Sequence, residues 1–266
     1  MMASPISQTS RSLPVHRQRA HLWHSLSSTG EYLRCPRRYA YGYVERLPQD
    51  RHVPPGWRFG SVVHAGLEAA YRLQAEQPER PRRDCLAAAS DAIGRCWREL
   101  ELPDDDGRQR AQWVVGRALT KGTLRVRQIR GVEVALRGRI SEGERIVGFA
   151  DLILDRDTGT IEIVDHKVTR RPATPQMLCE DRQLNLYGQL ARGMWDDVEV
   201  VYASHHYPLL AETVTVELDP TNMAAAERHI REVAKRIRAD EAFLATPGEH
   251  CGHCPWQPSC PEGQEE

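Results

Sequence analysis

The stretch RIVGFADLILDRDTGTIEIVDHKV, residues 145–168, decides the fold. It holds two apolar runs, 145–154 and 161–168, joined by Asp155-Arg-Asp-Thr-Gly159, which has tight-turn chemistry. That pattern predicts two β-strands. Asp151 sits inside the first run and Asp165 at the end of the second. A carboxylate placed in an apolar strand is costly unless it is paired or bound to a cation. Residues two apart on a strand face the same side, so Asp165 and Lys167 project together. If the strands form a hairpin, Asp151 comes alongside Asp165. Two carboxylates and a lysine then converge, which suits a hard divalent cation with oxygen ligands and a lysine that positions or polarises a water. The same spacing also fits a buried Asp–Lys ion pair.

Working outward, Val132–Arg139 alternates as a strand, and Glu199–Tyr207 and Thr213–Leu218 read as two more. Helices are expected from about Ser27–Thr29 to Val44, over 57–74, 84–100, a turn at 103–107 and then to about Ile129, over 175–195 and over 221–244. Residues 1–25 are polar and aperiodic and are expected to form a disordered tail. The rest, 26–266, is expected to form one domain: a helical part at 26–129, an α/β core at 130–244, and a cysteine-rich segment at 246–262. The 266 residues suffice for a sizeable core. No apolar run reaches the roughly 18 residues of a membrane helix. No signal-peptide core is present, so a cytoplasmic, reducing location is expected. With a net charge of -1, nucleic-acid binding must come from local patches, not from the field of the whole chain. Only Lys121, Lys167 and Lys235 are lysines, a scarcity that fits arginine-favouring codon use and makes surface filler a weaker explanation for a lysine beside two acids.

Six short motifs in register resemble the PD-(D/E)XK nuclease superfamily, in its RecB-like exonuclease branch. These are Ser28-Thr29 through Cys35-Pro36-Arg37-Arg38-Tyr39, Gly60-Ser61-Val62-Val63-His64, Val132-Glu133, Gly148-Phe149-Ala150-Asp151, Asp165-His166-Lys167, and Gln183 to Tyr187. The resemblance implies a restriction-endonuclease-like α/β core, with a mixed central sheet flanked by helices and an N-terminal helical region. It implies Mg²⁺ or Mn²⁺ held by His64, Asp151, Asp165 and the backbone carbonyl of His166. Lys167 would orient the attacking water, and Gln183 and Tyr187 would touch the nucleic-acid strand near the metal. On spacing alone, His64 reads equally as a partly buried helix residue, and Gln183 and Tyr187 as polar tips of an amphipathic helix.

Cys251, Cys254 and Cys260 lie within ten residues among Pro and Gly, which points to a metal. Zinc completed by His250 or His253, or an iron–sulfur cluster with a fourth cysteine, both fit. Cys35 is implied as that fourth ligand by resemblance to the iron–sulfur subset of RecB-like nucleases, which includes the AddB nuclease domain and the CRISPR-adaptation nucleases. There one early and three late cysteines hold a 4Fe–4S cluster, which here would staple the C-terminal segment to the first helix. Cys85, Cys96 and Cys179 have no partners at ligand spacing and read as buried thiols.

Arg34, Arg37, Arg38 and Arg46 interleave with Tyr39, Tyr41 and Tyr43, a pattern that suits phosphate pairing and base stacking on a single strand. Arg125, Arg127, Arg130, Arg137 and Arg139 form a second basic stretch, and Arg170 and Arg171 follow Lys167 directly. The expected function is a metal-dependent exonuclease on single-stranded DNA or DNA ends, in repair, recombination or CRISPR adaptation. The rivals are an endonuclease of the same fold and a non-catalytic DNA-binding subunit of a larger complex. No Walker phosphate loop is present, so unwinding would come from a helicase partner; in CRISPR adaptation the partner would be an integrase.

Overall fold

The structure, a computed structural model, describes residues 23–48, 55–103, 106–124, 126 and 128–264. In chain order the elements are β1 (Trp23–His24), α1 (Leu26–Arg34), α2 (Pro36–Tyr39), a π-helical turn (Ala40–Val44), α3 (Pro55–Glu76), α4 (Arg82–Glu99), α5 (Gly107–Lys121), β2 (Gln128–Arg139), β3 (Arg145–Asp157), β4 (Thr160–His166), α6 (Pro175–Cys179), α7 (Arg182–Met194), β5 (Val200–Tyr207), β6 (Glu212–Glu217) and α8 (Pro220–Ala239). Three short 3₁₀ turns follow, Glu249–His253, Gln257–Ser259 and Pro261–Gln264. Contacts divide the chain into two units. One is the described part of Met1–Arg51 with Ile140–Arg145 and Ile230–Glu266; the other is His52–Arg139 with Ile146–His229. Among the described residues no helix is long and apolar enough to cross a membrane.

The larger unit is a mixed sheet with helices against it, the α/β class expected from the sequence. β3 and β4 are antiparallel, with Leu152 opposite Val164 and Asp155 opposite Ile161. The expected hairpin turn is present, and Gly159 supplies its left-handed residue at φ 72°. β4 and β5 are parallel, so the chain must cross over between them, and α6 and α7 make that crossover. β5 and β6 are antiparallel, and β2 pairs with β3 on the other side. The principal core joins α3, α4 and α5 to this sheet: Val63, Leu67, Ile93 and Val115 pack with Leu152, Leu154 and Val164. In the smaller unit Tyr32, Tyr39, Ala40, Val233, Ile237 and Phe243 form a separate aromatic core.

Several boundaries move from the sequence-based expectation. Residues 1–22 of the expected tail lie outside the described residues, but Trp23 and His24 form a strand and Ser25 caps α1. Ser25 is the cap because its hydroxyl accepts the Ser28 N–H while the Ser28 hydroxyl accepts the Ser25 N–H. α5 stops at Lys121 with Gly122 as C-cap, and β2 begins at Gln128 where helix was expected to Ile129. The expected helix 175–195 breaks in two, because the Asp181 carboxylate accepts the Leu184 N–H at 2.9 Å and starts α7 afresh. α8 ends at Ala239, not Leu244, since the Asp240 carboxylate takes the N–H groups of Ala242 and Phe243. Of the three unpaired cysteines, only Cys85 is buried; Cys96 and Cys179 are half-buried.

Candidate active site

The open end of the β3–β4 pair carries the acidic residues. Beyond Leu152 and Val164, the last of the paired residues, come Asp151 on one strand and Asp165 on the other. One oxygen of Asp151, Oδ2, accepts the His166 N–H at 2.7 Å. Asp165 Oδ1 accepts from Gln183 Nε2 at 3.1 Å, and Asp165 Oδ2 lies 2.7 Å from Lys167 Nζ. The Asp–Lys ion pair and the carboxylate pair are therefore both present. Gln183 and Tyr187, one turn apart on α7, meet through Gln183 Nε2 and the Tyr187 hydroxyl at 3.0 Å. Gly148 explains itself here: a Cβ would fall 2.2 Å from Tyr187 Cε1, so only glycine lets that ring lie against β3.

His64 reaches the same end from α3. Its Nε2 lies 2.8 Å from the carbonyl oxygen of His166. A carbonyl only accepts, so Nε2 carries a proton, and in the neutral ring Nδ1 is then the atom with a free lone pair. That Nδ1 is 3.5 Å from Asp151 Oδ2. A backbone carbonyl that fixes the ring and its tautomer is the usual outer support of a metal-binding histidine. The His166 carbonyl, expected as a metal ligand, therefore already has one lone pair engaged by His64.

The sequence reading left Glu133 outside the ligand set. His64, Glu133 and Asp151 each offer a ligand atom within 4.8 Å of the others, and they are the group of that kind among the described residues. Asp165 falls outside that group and is tied to Lys167 and Gln183 instead. Glu133 has left-handed backbone, φ 52°, inside a strand. Such a conformation costs on the order of 1–3 kcal/mol and persists only where its surroundings fix it. The signal was available in the sequence: Glu133 is the sole acid of Gln128–Arg139 and stands between Val132 and Val134.

The electrostatics are those of a site short of positive charge. Burial, reinforced by the Asp165 carboxylate, pushes Asp151 up to about 7, against the opposing pull of the His166 N–H and of Lys167. Burial, then Asp151 and Glu68, pushes Glu133 up to about 7 as well. Both groups are thus more stable in the fold as neutral acids. Their contribution is fully present below the ordinary carboxyl range near 4 and is lost as pH rises through about 7. In a chelator, melting temperature is expected to fall between about pH 5 and pH 8. Asp151→Asn should flatten that fall, and an equally steep profile in the variant would contradict the assignment.

Behind the acids lies a neutral layer. The imidazole of His166 turns away from Asp165 and Lys167, as strand alternation requires. It stacks on Tyr71, with centroids 5.8 Å apart, and its Nδ1 is 2.9 Å from Nδ1 of His206. Burial holds His166 well below the usual histidine range and His206 at about 4, so neither adds charge.

The other expected residues fall elsewhere. Arg170 and Arg171 are exposed just beyond Lys167. In the smaller unit Cys35, Cys251, Cys254 and Cys260 line one cavity, together with Arg37, Arg38 and His250. Arg38 and Arg34 pair with Glu31. Tyr39 is fully buried, stacked between Tyr43 and Phe243, and Tyr41 is buried too. The expected base stacking on Tyr39 and Tyr41 is therefore corrected: both rings are spent on packing. In the second basic stretch Arg125 and Arg127 lie outside the described residues. Arg130 is held at 2.6 Å by both Asp155 and Asp197.

Comparison with known proteins agrees with this architecture. None of the curated proteins compared matches the chain. The crystal structure of a candidate exonuclease from Eubacterium rectale aligns over 95% of this chain and 93% of its own, with TM-score 0.53 and 12% identity, a likeness of fold. A second solved structure, of SSO0001, covers 93% of each chain at 16% identity and TM-score 0.37. The family model of the PD-(D/E)XK nuclease superfamily matches residues 24–261, a span that takes in His64, Glu133, both strand aspartates, Lys167 and all four cavity cysteines, and the chain belongs to that superfamily.

Proposed function

We propose that the chain is a Mg²⁺- or Mn²⁺-dependent deoxyribonuclease of the RecB-like type, an exonuclease on single-stranded DNA or DNA ends. The observation that carries this reading is the meeting of His64 Nδ1, Glu133 and Asp151 beside the Asp165–Lys167–Gln183 group. Two carboxyls held near 7 by burial and by neighbouring carboxylates are a poor resting state for neutral pH, and a hard divalent cation is the partner that corrects it. His64, Asp151 and Asp165 would hold the ion, with Glu133 added to the set expected from sequence. When bound, the ion supplies Lewis-acid neutralisation of the charge that builds on the phosphate oxygens during hydrolysis.

The chain's own residues do the rest. Lys167 Nζ, 2.7 Å from Asp165 Oδ2, points a donor at the attacking water and the phosphate. Gln183 fixes the Asp165 carboxylate through Oδ1, so Oδ2 faces Lys167. Arg170 and Arg171, exposed next to Lys167, supply phosphate contacts on the departing strand.

The reading extends to a 4Fe–4S cluster in the cysteine cavity. All four thiols line it, and N–H groups of Thr246 and Gly248 approach Cys35 Sγ and Cys251 Sγ at 3.4 Å each. The cluster is preferred to zinc on the order of the ligands, one early cysteine and three late ones, shared with the iron–sulfur subset of RecB-like nucleases. Arg37 and Arg38 beside the cavity would offset the charge of the thiolates. The setting this implies is a reducing cytoplasm, in repair, recombination or CRISPR adaptation beside a helicase or an integrase.

The test is digestion of end-labelled single- and double-stranded DNA with Mg²⁺, with Mn²⁺ and with chelator. Mononucleotides or short products released progressively from ends, with either metal only, are expected. Internal fragments would favour the endonuclease of the same fold, and intact DNA under all conditions would defeat the reading.

A further inference from the structure

Helix α5 carries groups that the acidic cluster does not use. Its fifteen residues, Gly107–Lys121, include Arg108, Arg110, Arg117 and Lys121 and no acid, in a chain whose acids slightly outnumber its bases. Asp104–Asp106 precede it and bound the basic stretch. Ala111, Val114, Val115 and Ala118 are the buried stripe against the three-helix core, with Leu119 packed beside it, and helical periodicity turns Arg110, Trp113, Arg117 and Lys121 away from it. Among those is Trp113, 62% exposed, a large apolar ring left in water where burial would be favourable.

The basic and aromatic groups are paired. The Arg117 guanidinium lies 5.6 Å from the Trp113 ring centroid and also donates to the Leu209 carbonyl at 3.3 Å, which fixes it in place. The Arg110 guanidinium lies 5.3 Å from the ring of Phe59 on α3. Phe59 precedes His64 by five residues on that same helix, about 7.5 Å along its axis. The two pairs therefore set cation and ring in a line along α5, with Arg110 and Arg117 about 10 Å apart along its axis.

We propose that α5 and Phe59 form the entry track for single-stranded nucleic acid. Trp113 stacks on an unpaired base, and Arg110 and Arg117 take the flanking phosphates. An acidic peptide would satisfy the arginines alone; planar rings beside each arginine match a strand that alternates phosphate and base. In a duplex the base faces are already stacked, so Trp113 selects an unpaired strand. The destination of the track rests on the nuclease reading, whereas its binding chemistry does not.

The test uses the full chain in chelator and the fluorescence anisotropy of a labelled long oligothymidylate. Trp113→Ala with Arg117→Ala should raise Kd at least about tenfold, and Trp113→Tyr should restore most of the loss. The slope of log affinity against log salt should shrink by about 0.7 for the arginine removed. Binding to blunt duplex should change far less, and kcat at saturating oligonucleotide with Mg²⁺ should stay at the wild-type value. Wild-type affinity and salt slope in the double variant, or an equal loss on duplex, would overturn the track. A chain that binds through Trp113 yet cleaves nothing would keep the track and remove the nuclease chemistry.

Discussion

Asp165→Ala is expected to abolish Mg²⁺-dependent cleavage, lowering kcat on the order of a thousandfold or more, while the protein stays folded. The size follows from what Asp165 touches. It is the buried carboxylate that aligns Lys167 through Oδ2 and is itself aligned by Gln183 through Oδ1, so its removal leaves the lysine without a fixed direction. Lys167→Ala should cost as much, because it removes the donor that Asp165 aligns toward the water and the phosphate. Gln183→Ala should cost less, since Asp165 keeps its contact with Lys167 when that one hydrogen bond is lost. The fold should persist in these variants: the core beneath the site is built from Leu152, Leu154 and Val164, none of which they touch. Far-UV circular dichroism and melting temperature separate loss of chemistry from loss of structure. Cleavage retained in both Asp165→Ala and Lys167→Ala would remove these residues from the reaction.

The second large effect is on stability. Cys254→Ser is expected to bleach the brown colour of anaerobically purified protein and to release the C-terminal segment to proteolysis. Cys35 and Cys251 are separated by more than 200 residues, and a cross-link closing a loop that long contributes about 5 kcal/mol or slightly more in a chain-entropy account. The start of the segment after α8 is held by Phe243, buried in the aromatic core, and by the Tyr32 hydroxyl donating to Asp240 at 2.9 Å. Trp256 packs against Tyr41, its ring 2.8 Å from where a Cβ on Gly42 would stand, and the Tyr41 hydroxyl donates to the Ser259 carbonyl at 3.2 Å. Limited proteolysis and iron content of the variant check the claim together. Wild-type protein that carries one zinc and no iron would replace the cluster with a tetrahedral site.

Asp151, Asp165 and Lys167 were legible in the sequence because charge in an apolar strand is conspicuous and strand spacing is rigid. Their convergence followed from one turn, 155–159, whose glycine announces a hairpin. Glu133 obeys the same rule, but its placement depends on a left-handed residue that no local pattern reveals. The tyrosines misled for a related reason. Alternation with arginines describes a nucleic-acid surface and equally a packed helix whose arginines face outward. Only the partners, Phe243 for Tyr39 and Glu31 for Arg38, decide between them, and those come from distant or neighbouring segments that periodicity does not connect. Helix ends shifted wherever a single side chain caps the backbone, as at Ser25, Asp181 and Asp240. The chain passes four times between the two compact units, and no composition shift marks those passages.

The most direct test of the central claim is a Mn²⁺-soaked crystal with anomalous scattering measured at the manganese edge. A peak bonded to His64 Nδ1 and to carboxylate oxygens of Asp151 and Glu133 or Asp165 is predicted, and it should vanish in Asp151→Asn. Manganese bound elsewhere on the chain, with His64 Nδ1 and Asp151 left uncoordinated at saturating metal, would contradict it.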